Sequence, residues 1–390
     1  MNELHPKKNN WITWQQELLL KAALFSGNDA ISAWEKWRTN TDFDSIDPGS
    51  YRLIPLLYNN LINLKINDAL MNRLKGIYRR TWCENQIRLN LMVRLLELFQ
   101  NSGIRTIVLK GIALIHLYYK DYGLRPMSDL DIFVPTNRAA EAIVLLRKSG
   151  WKAEYKSPEK IINFFHSCDL TDTTGLHHLD LHWHLYIECC RPNADDDFWN
   201  GAQQTMIKNI STNVLNPTDQ LLHTFVHGMK WSKIPPFRWV ADAMMILNSS
   251  QKEIDWNRLL IQAQKCRLTV PVMYSLEYLT KNFEVYIPPE VLEKIRKIPA
   301  SKIEHIEYKY KIENQKKKLL GNIPVLWFDS LRLFRNKSSW QKLRGFIIYL
   351  KHFWKIENFW QLSSYVLSLG INKMKHLIRL TTERISNSEC

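Results

Sequence analysis

The chain has 390 residues, 45% of them apolar, which excludes a disordered or low-complexity polymer and leaves room for about two to three domains. Its formal charge of +15 favours anionic partners: nucleotides, nucleic acid, phosphorylated substrates or an acidic membrane surface. No stretch of about 18 uncharged apolar residues occurs, so no membrane span is expected.

Residues 1–102 read as a helical N-terminal region. Trp11, Trp14, Leu18, Leu19 and Ala22 recur near helical spacing, as do Leu53, Leu56, Leu57, Leu61 and Leu64. A long amphipathic pattern from Asp68 to Gln100 ends at Asn101-Ser102-Gly103, as a helix C-terminus ends. The period then changes. Ile104–Leu109 is short and β-rich and runs into Lys110-Gly111, after which Ala113–Tyr119 reads as a helix. Leu130–Val134 reads as a strand, Arg138–Lys148 as a helix, and Trp151–Tyr155 and Ser167–Thr171 as strands, with a short helix at Pro158–Phe165 between them. The alternating HHLDLHWHLY follows, from His177 to Tyr186. Residues 103–190 therefore form a small mixed-sheet α/β core, of α+β or α/β class. From Asp195 the helical period returns, and 191–300 is expected to be a helical domain closing a cleft. Residues 301–390 form a basic, aromatic helical region, read as a buried aromatic face with a solvated basic one. The six cysteines include no C-x-x-C pair and the N-terminus lacks an apolar signal core, which points to reduced thiols in a cytoplasmic protein.

Asp129 and Asp131 lie two apart in the second strand, so both carboxylates leave one face. Unpaired carboxylates among apolar neighbours are costly, and two like charges this close call for cations between them and an anionic ligand. Asp180 lies inside a second alternating strand. Two carboxylates from one strand and one from a neighbour suit Mg²⁺, with Mn²⁺ as the alternative ion, and such ions serve phosphoryl transfer. Lys110-Gly111 ends the first strand and opens a helix, where backbone N–H groups and an ammonium meet phosphate. Arg125 and Ser128 stand before the aspartate pair as phosphate contacts, Arg125 equally as a structural ion-pair partner. In HHLDLHWHLY, residues 178, 180, 182 and 184 share a face. His182 is read as supporting the site or touching substrate. His178 and His184 are ordinary surface or packing histidines, or, in a rival reading, ligands of a zinc hydrolase. His223 and His227 share a helix face, but Thr224 stands where a zinc protease needs Glu. His227, Arg238 and Asp242 are candidates for lining the cleft, the last two as an i,i+4 pair; packing and capping are the bland alternative.

The segments LKGIALIHLYYKDYGLRPMSDLDIFV, LDLHWHL and LLHTFVHGMKW…RWVADA resemble the bacterial uncharacterised nucleotidyltransferase family of the polymerase-β-like superfamily. The resemblance implies that Asp129 and Asp131 are the metal-binding pair and Asp180 the third carboxylate. Lys110-Gly111 stands where the wider superfamily has Gly-Ser. Family members often lie in gene clusters for surface polysaccharides or modified peptides, which implies tailoring of a peptide or glycan. The expectation is a Mg²⁺-dependent enzyme moving a nucleoside monophosphate, or a phosphoryl group, from an NTP to a hydroxyl or phosphate acceptor. Nucleic acid is not the favoured partner. A nucleotide-binding scaffold without turnover is the non-enzymatic alternative.

Overall fold

A computed structural model describes residues 12–153, 161–228, 237–313, 323–354, 356, 360 and 361. Five helices come first: α1 Trp14–Leu24, α2 Gly27–Thr39, α3 Pro48–Tyr51, α4 Ile54–Asn63 and α5 Met71–Asn101. A capping box starts α1, with the Thr13 hydroxyl accepting from the Gln16 N–H and the Gln16 side-chain Oε1 accepting from the Thr13 N–H. The long α5 buries Leu74, Thr81, Asn85, Leu89, Met92, Leu95, Leu96 and Phe99, one stripe at helical spacing. It ends at Gly103, whose φ of +64° lets the Ile104 N–H return to the Phe99 carbonyl.

Strands β1 Ile107–Val108, β2 Leu130–Phe133, β3 Lys152–Ala153, β4 Ser167–Thr171, β5 His178–His182, β6 Gln203–Ile207 and β7 Ile210–Val214 build one mixed sheet in the order β3-β4-β5-β2-β1-β7-β6. The central β2 runs antiparallel to β1 and parallel to β5. Short helices α6 Lys110–Leu114, α7 Ala139–Lys148 and α8 Asp196–Asn200 connect the strands, with α6 continuing as a π-helical segment, Ile115–Tyr119. Helices α9 Pro217–Gly228, α10 Trp239–Ser250, α11 Trp256–Lys265, α12 Thr269–Phe283 and α13 Pro289–Lys297 follow. Helices α14 Lys302–Glu313, α15 Ile323–Leu333 and α16 Ser339–Phe353 come last.

Strand alternation sends side chains into two cores. Val108, Leu130, Ile132, Leu179 and Leu181 join α5, α7 and Tyr349 of α16 on one face. Ile107, Leu109 and Phe133 face the other way, into a core shared with α1, α4 and α9 to α13. Asp131, Asp180 and His182 alternate onto that second face, so the helices before and after the sheet enclose them.

The reading of a purely helical chain from Asp195 is corrected by β6 and β7, which carry the sheet past residue 190 to Val214. The hairpin turns at Lys208, which is left-handed at φ +51°, and β7 pairs in parallel with β1. Trp14 is 53% exposed, so α1 buries Leu19, Leu20, Ala22 and Ala23 instead. Trp11, Lys316 to Lys318, part of the expected helix at 158–165 and most of the chain beyond 354 lie outside the described residues.

Candidate active site

Parallel pairing of β2 with β5 sets Asp131 opposite Asp180 and Phe133 opposite His182. The carboxylates of two strands thereby meet on one face. The Asp131 side chain is 2% exposed and that of Asp180 18%. His182, two residues beyond Asp180 on the same face, brings Nε2 to 2.8 Å from Asp180 Oδ2 and 3.4 Å from Asp131 Oδ1. Lys110 reaches in from the end of β1. Its Nζ lies 2.5 Å from Asp131 Oδ1 and 3.6 Å from Asp180 Oδ2.

Lys110 adopts a left-handed backbone at φ +45°. Such a conformation costs a non-glycine residue about 1–2 kcal/mol, and it is held where the surrounding structure over-determines it. Here the two carboxylates anchor the ammonium. Next to it Gly111 is buried: a Cβ there would stand 2.4 Å from Met127 Sδ and 3.6 Å from Arg125 Nη1. The glycine lets α6 press against the loop that leads into β2.

The charges balance one another. Burial would lower Lys110, but Asp131 and Asp180 outweigh it and hold the ammonium charged. Burial would raise Asp180, yet His182 and then Lys110 hold it well below the usual carboxylate range. Burial opposes protonation of His182, and Asp180 prevails, raising it. Even so, Asp180 Oδ1 and His182 Nδ1 are buried with no hydrogen-bond partner. One ligand atom each from Asp131, Asp180 and His182 lies within 4.8 Å of the others, so these three could hold a metal ion.

Asp129 and Ser128 occupy the exposed rim, where the Ser128 hydroxyl donates to Asp129 Oδ1 at 3.0 Å. The Asp129 charge acts on Lys110, but its carboxylate stands outside the Asp131–Asp180–His182 group. Arg125 is buried, and two of its nitrogens, Nε and Nη2, donate to Asp242 at 2.7 and 2.9 Å. Its structural ion-pair alternative is the arrangement seen. Tyr119 donates to the same Asp242 carboxylate at 2.7 Å. Asp242 thus pairs with Arg125 of the loop before β2, not with Arg238 of its own helix. Arg238 donates to the Pro126 carbonyl at 2.7 Å, and burial and then Arg125 push its pKa down to about 10. Together these contacts lock α10 to the segment that positions the aspartates. Asn85 does the same from α5, donating to the carbonyls of Tyr122 and Arg125 at 2.7 and 2.9 Å.

The other histidines separate. His178 is exposed, and His184 is buried against Asp195 at 2.6 Å, so the four-residue zinc strand does not assemble. His227 is exposed on α9, stacked on His223 and outside the Asp131 group. The sequence reading missed His166, whose ring lies edge-on to His182 at 5.4 Å. Its place just before the strand read at Ser167–Thr171 was the available signal; the fold adds that its carbonyl accepts the N–H groups of Trp183 and His184 at 2.9 and 3.1 Å.

A buried carboxylate pair on parallel strands of a mixed sheet, joined by His182 and with a lysine beside it, is a candidate centre for a metal ion. The chain belongs to the uncharacterised nucleotidyltransferase family, whose profile matches residues 50–284, more than half its length. Among solved structures, an antigenic nucleotidyltransferase-like protein from Paracoccidioides brasiliensis is similar at 14% identity and a TM-score of 0.35, covering 52% of this chain and 95% of that one. No curated protein matches. Among the described residues, no helix is long and apolar enough to cross a membrane.

Proposed function

We propose that this protein is a divalent-metal-dependent nucleotidyltransferase that moves a nucleoside monophosphate from an NTP to a hydroxyl or phosphate acceptor. The supporting observation is the convergence of Asp131, Asp180 and His182 beside Lys110 in a chain of this family. The donor set fits an ion: two carboxylates, one imidazole and an unpartnered buried Asp180 oxygen. Asp131 and Asp180 would hold Mg²⁺ or Mn²⁺, both of which take carboxylate oxygen, with Asp129 at the rim. When bound, such an ion neutralises phosphate charge and stabilises a leaving pyrophosphate.

The remaining roles belong to the side chains. Lys110, after His182, helps to hold Asp180 ionised, and its ammonium is there to offer the triphosphate once the carboxylates are otherwise engaged. Asp180, whose Oδ1 is buried with no hydrogen-bond partner, serves as a ligand. Ser128 supplies a phosphate contact at the rim, and the Lys110-Gly111 turn, where Gly111 is buried, one deeper in. Arg125, Asp242 and Arg238 act at one remove, by fixing the loop before β2. His227, exposed on α9, is left for the acceptor side. A peptide or glycan precursor as acceptor rests on the family resemblance alone.

The test is label transfer with Mg²⁺ or Mn²⁺ and a panel of hydroxyl and phosphate acceptors. Label from the α-phosphate on the acceptor supports nucleotidyl transfer; label only from the γ-phosphate replaces it with phosphoryl transfer. One observation favours a second reading, a scaffold that binds nucleotide without turnover: Lys110 already neutralises the carboxylates. Calorimetric binding of ATP or GTP with no product in the label assay would select it.

A further inference from the structure

A cavity of about 560 Å³ opens on the far side of the segment that follows β5, and none of its lining residues belongs to the Asp131 cluster. Its walls come from the turn around Cys189 and Cys190, the end of α11, the start of α14 and the end of α15 with the residues leading into α16. Arg191, Arg267, Arg332, Arg335, Lys337 and Lys342 line it against the carboxylates of Glu188, Glu304 and Glu307.

Glu307 pairs with Arg332 at 2.8 Å, Glu304 accepts the Val270 N–H at 3.2 Å, and the Glu188 charge acts on Arg332. Arg332 is in turn spent on structure, donating to the carbonyls of Cys266 and Arg267 at 3.3 and 3.1 Å. That contact fixes the turn after α11, where Arg267 is left-handed at φ +54°. Among the described residues, the side chains of Arg267, Arg335, Lys337 and Lys342 have no carboxylate partner. Burial lowers Arg267, the charges of Arg335 and Arg332 add to the effect, and Glu304 opposes it only in part. Like charges gathered in a concave wall repel one another and focus a positive field into it.

We propose that this cavity binds a small molecule carrying adjacent phosphates. Guanidinium and ammonium groups are the donors that phosphate oxygens take. The volume suits a ligand of metabolite size and not a duplex, since ligand pockets run to about 300–1,000 Å³. Among the described residues lining it none is aromatic, so no ring is there to stack a base. Recognition then runs through the phosphate chain.

The experiment titrates the full chain with sodium tripolyphosphate, without divalent metal, by calorimetry at ionic strength matched with chloride. Wild type binds. Arg335→Ser/Lys337→Ser, which alters two exposed side chains, binds at least about tenfold more weakly, as loss of charge-assisted contacts predicts. Arg267→Ser, in the turn after α11, weakens it similarly, and Asp131→Asn leaves it within about twofold. Binding that survives the substitutions at 267, 335 and 337, or that is lost in Asp131→Asn, overturns the proposal. ATP is run beside tripolyphosphate: equal affinity supports a site that reads phosphates, while ATP binding more than about tenfold tighter overturns it, because a base is then recognised. A single-stranded oligonucleotide that binds where tripolyphosphate does not also overturns it, in favour of a nucleic-acid surface.

Discussion

Asp131 and Asp180 are register partners on two parallel strands, and the Lys110 ammonium lies within 3.6 Å of both. Two buried carboxylates at this separation are stable only with a cation among them. The lysine supplies that cation here and stands where a metal ion would compete with it.

Lys110→Met follows from that competition. Without the ammonium Asp131 loses its ion pair while Asp180 keeps His182, so stability in chelator falls by about 3–5 kcal/mol, the range for breaking a buried ion pair. Mn²⁺ restores it, and Mn²⁺ affinity measured by electron paramagnetic resonance rises relative to wild type. Weaker Mn²⁺ binding in the variant would show that Lys110 supports the ion and does not compete with it.

Asp242→Asn tests the buried anchor of the loop before β2. Arg125 loses its carboxylate, and stability at neutral pH falls by about 3–5 kcal/mol. Burial would raise Asp242, but Arg125 outweighs it and the folded-state pKa is depressed. Its stabilising contribution is therefore complete above the unfolded carboxylate value of about 3.9 and is lost as pH falls through the lower folded value. Denaturant melts at successive pH values should show a gap between wild type and variant that is flat above about pH 5 and narrows below about pH 4. A gap that widens in acid contradicts the ion pair.

Gly111→Ala places a Cβ 2.4 Å from Met127 Sδ, so Met127 must move. Overpacking of this kind costs about 1–3 kcal/mol. Met127→Ala should relieve part of it, so a double-mutant cycle gives a combined loss smaller than the sum of the single losses. Simple additivity would mean that the two side chains do not meet.

Asn85→Ala removes two hydrogen bonds to carbonyls 37 and 40 residues away in sequence. A loss of about 1–3 kcal/mol is expected, together with faster amide exchange in residues 122–125. Unchanged exchange there would free α5 from its proposed role in holding the loop.

Much of the site was legible in the sequence because β2 and β5 alternate cleanly, so Asp131, Asp180 and His182 could each be assigned a face. Their register was not legible. It depends on which strands pair and at what offset, and no local pattern encodes that. The Arg125–Asp242 pair joins residues 117 apart for the same reason, and the i,i+4 spacing of Arg238 and Asp242 offered a closer partner that the fold does not use. The β6–β7 hairpin was missed because QQTMIKNISTNV is mostly polar. Gln203, Gln204 and Met206 are exposed at a sheet edge, which dilutes the apolar alternation. The β-branched residues Ile207, Ile210, Thr212 and Val214 around Lys208-Asn209 were the signal for it.

The account stands most directly on pyrophosphate release from NTPs in the presence of Mg²⁺ or Mn²⁺ and an acceptor panel, compared among wild type, Asp131→Asn and Asp180→Asn. Wild type is predicted to release pyrophosphate in a metal-dependent way. Both variants, folded by circular dichroism, should be slower by at least about 100-fold, the loss expected when a metal ion's charge stabilisation of several kcal/mol is removed. Undiminished release in both folded variants would contradict the assignment of these carboxylates.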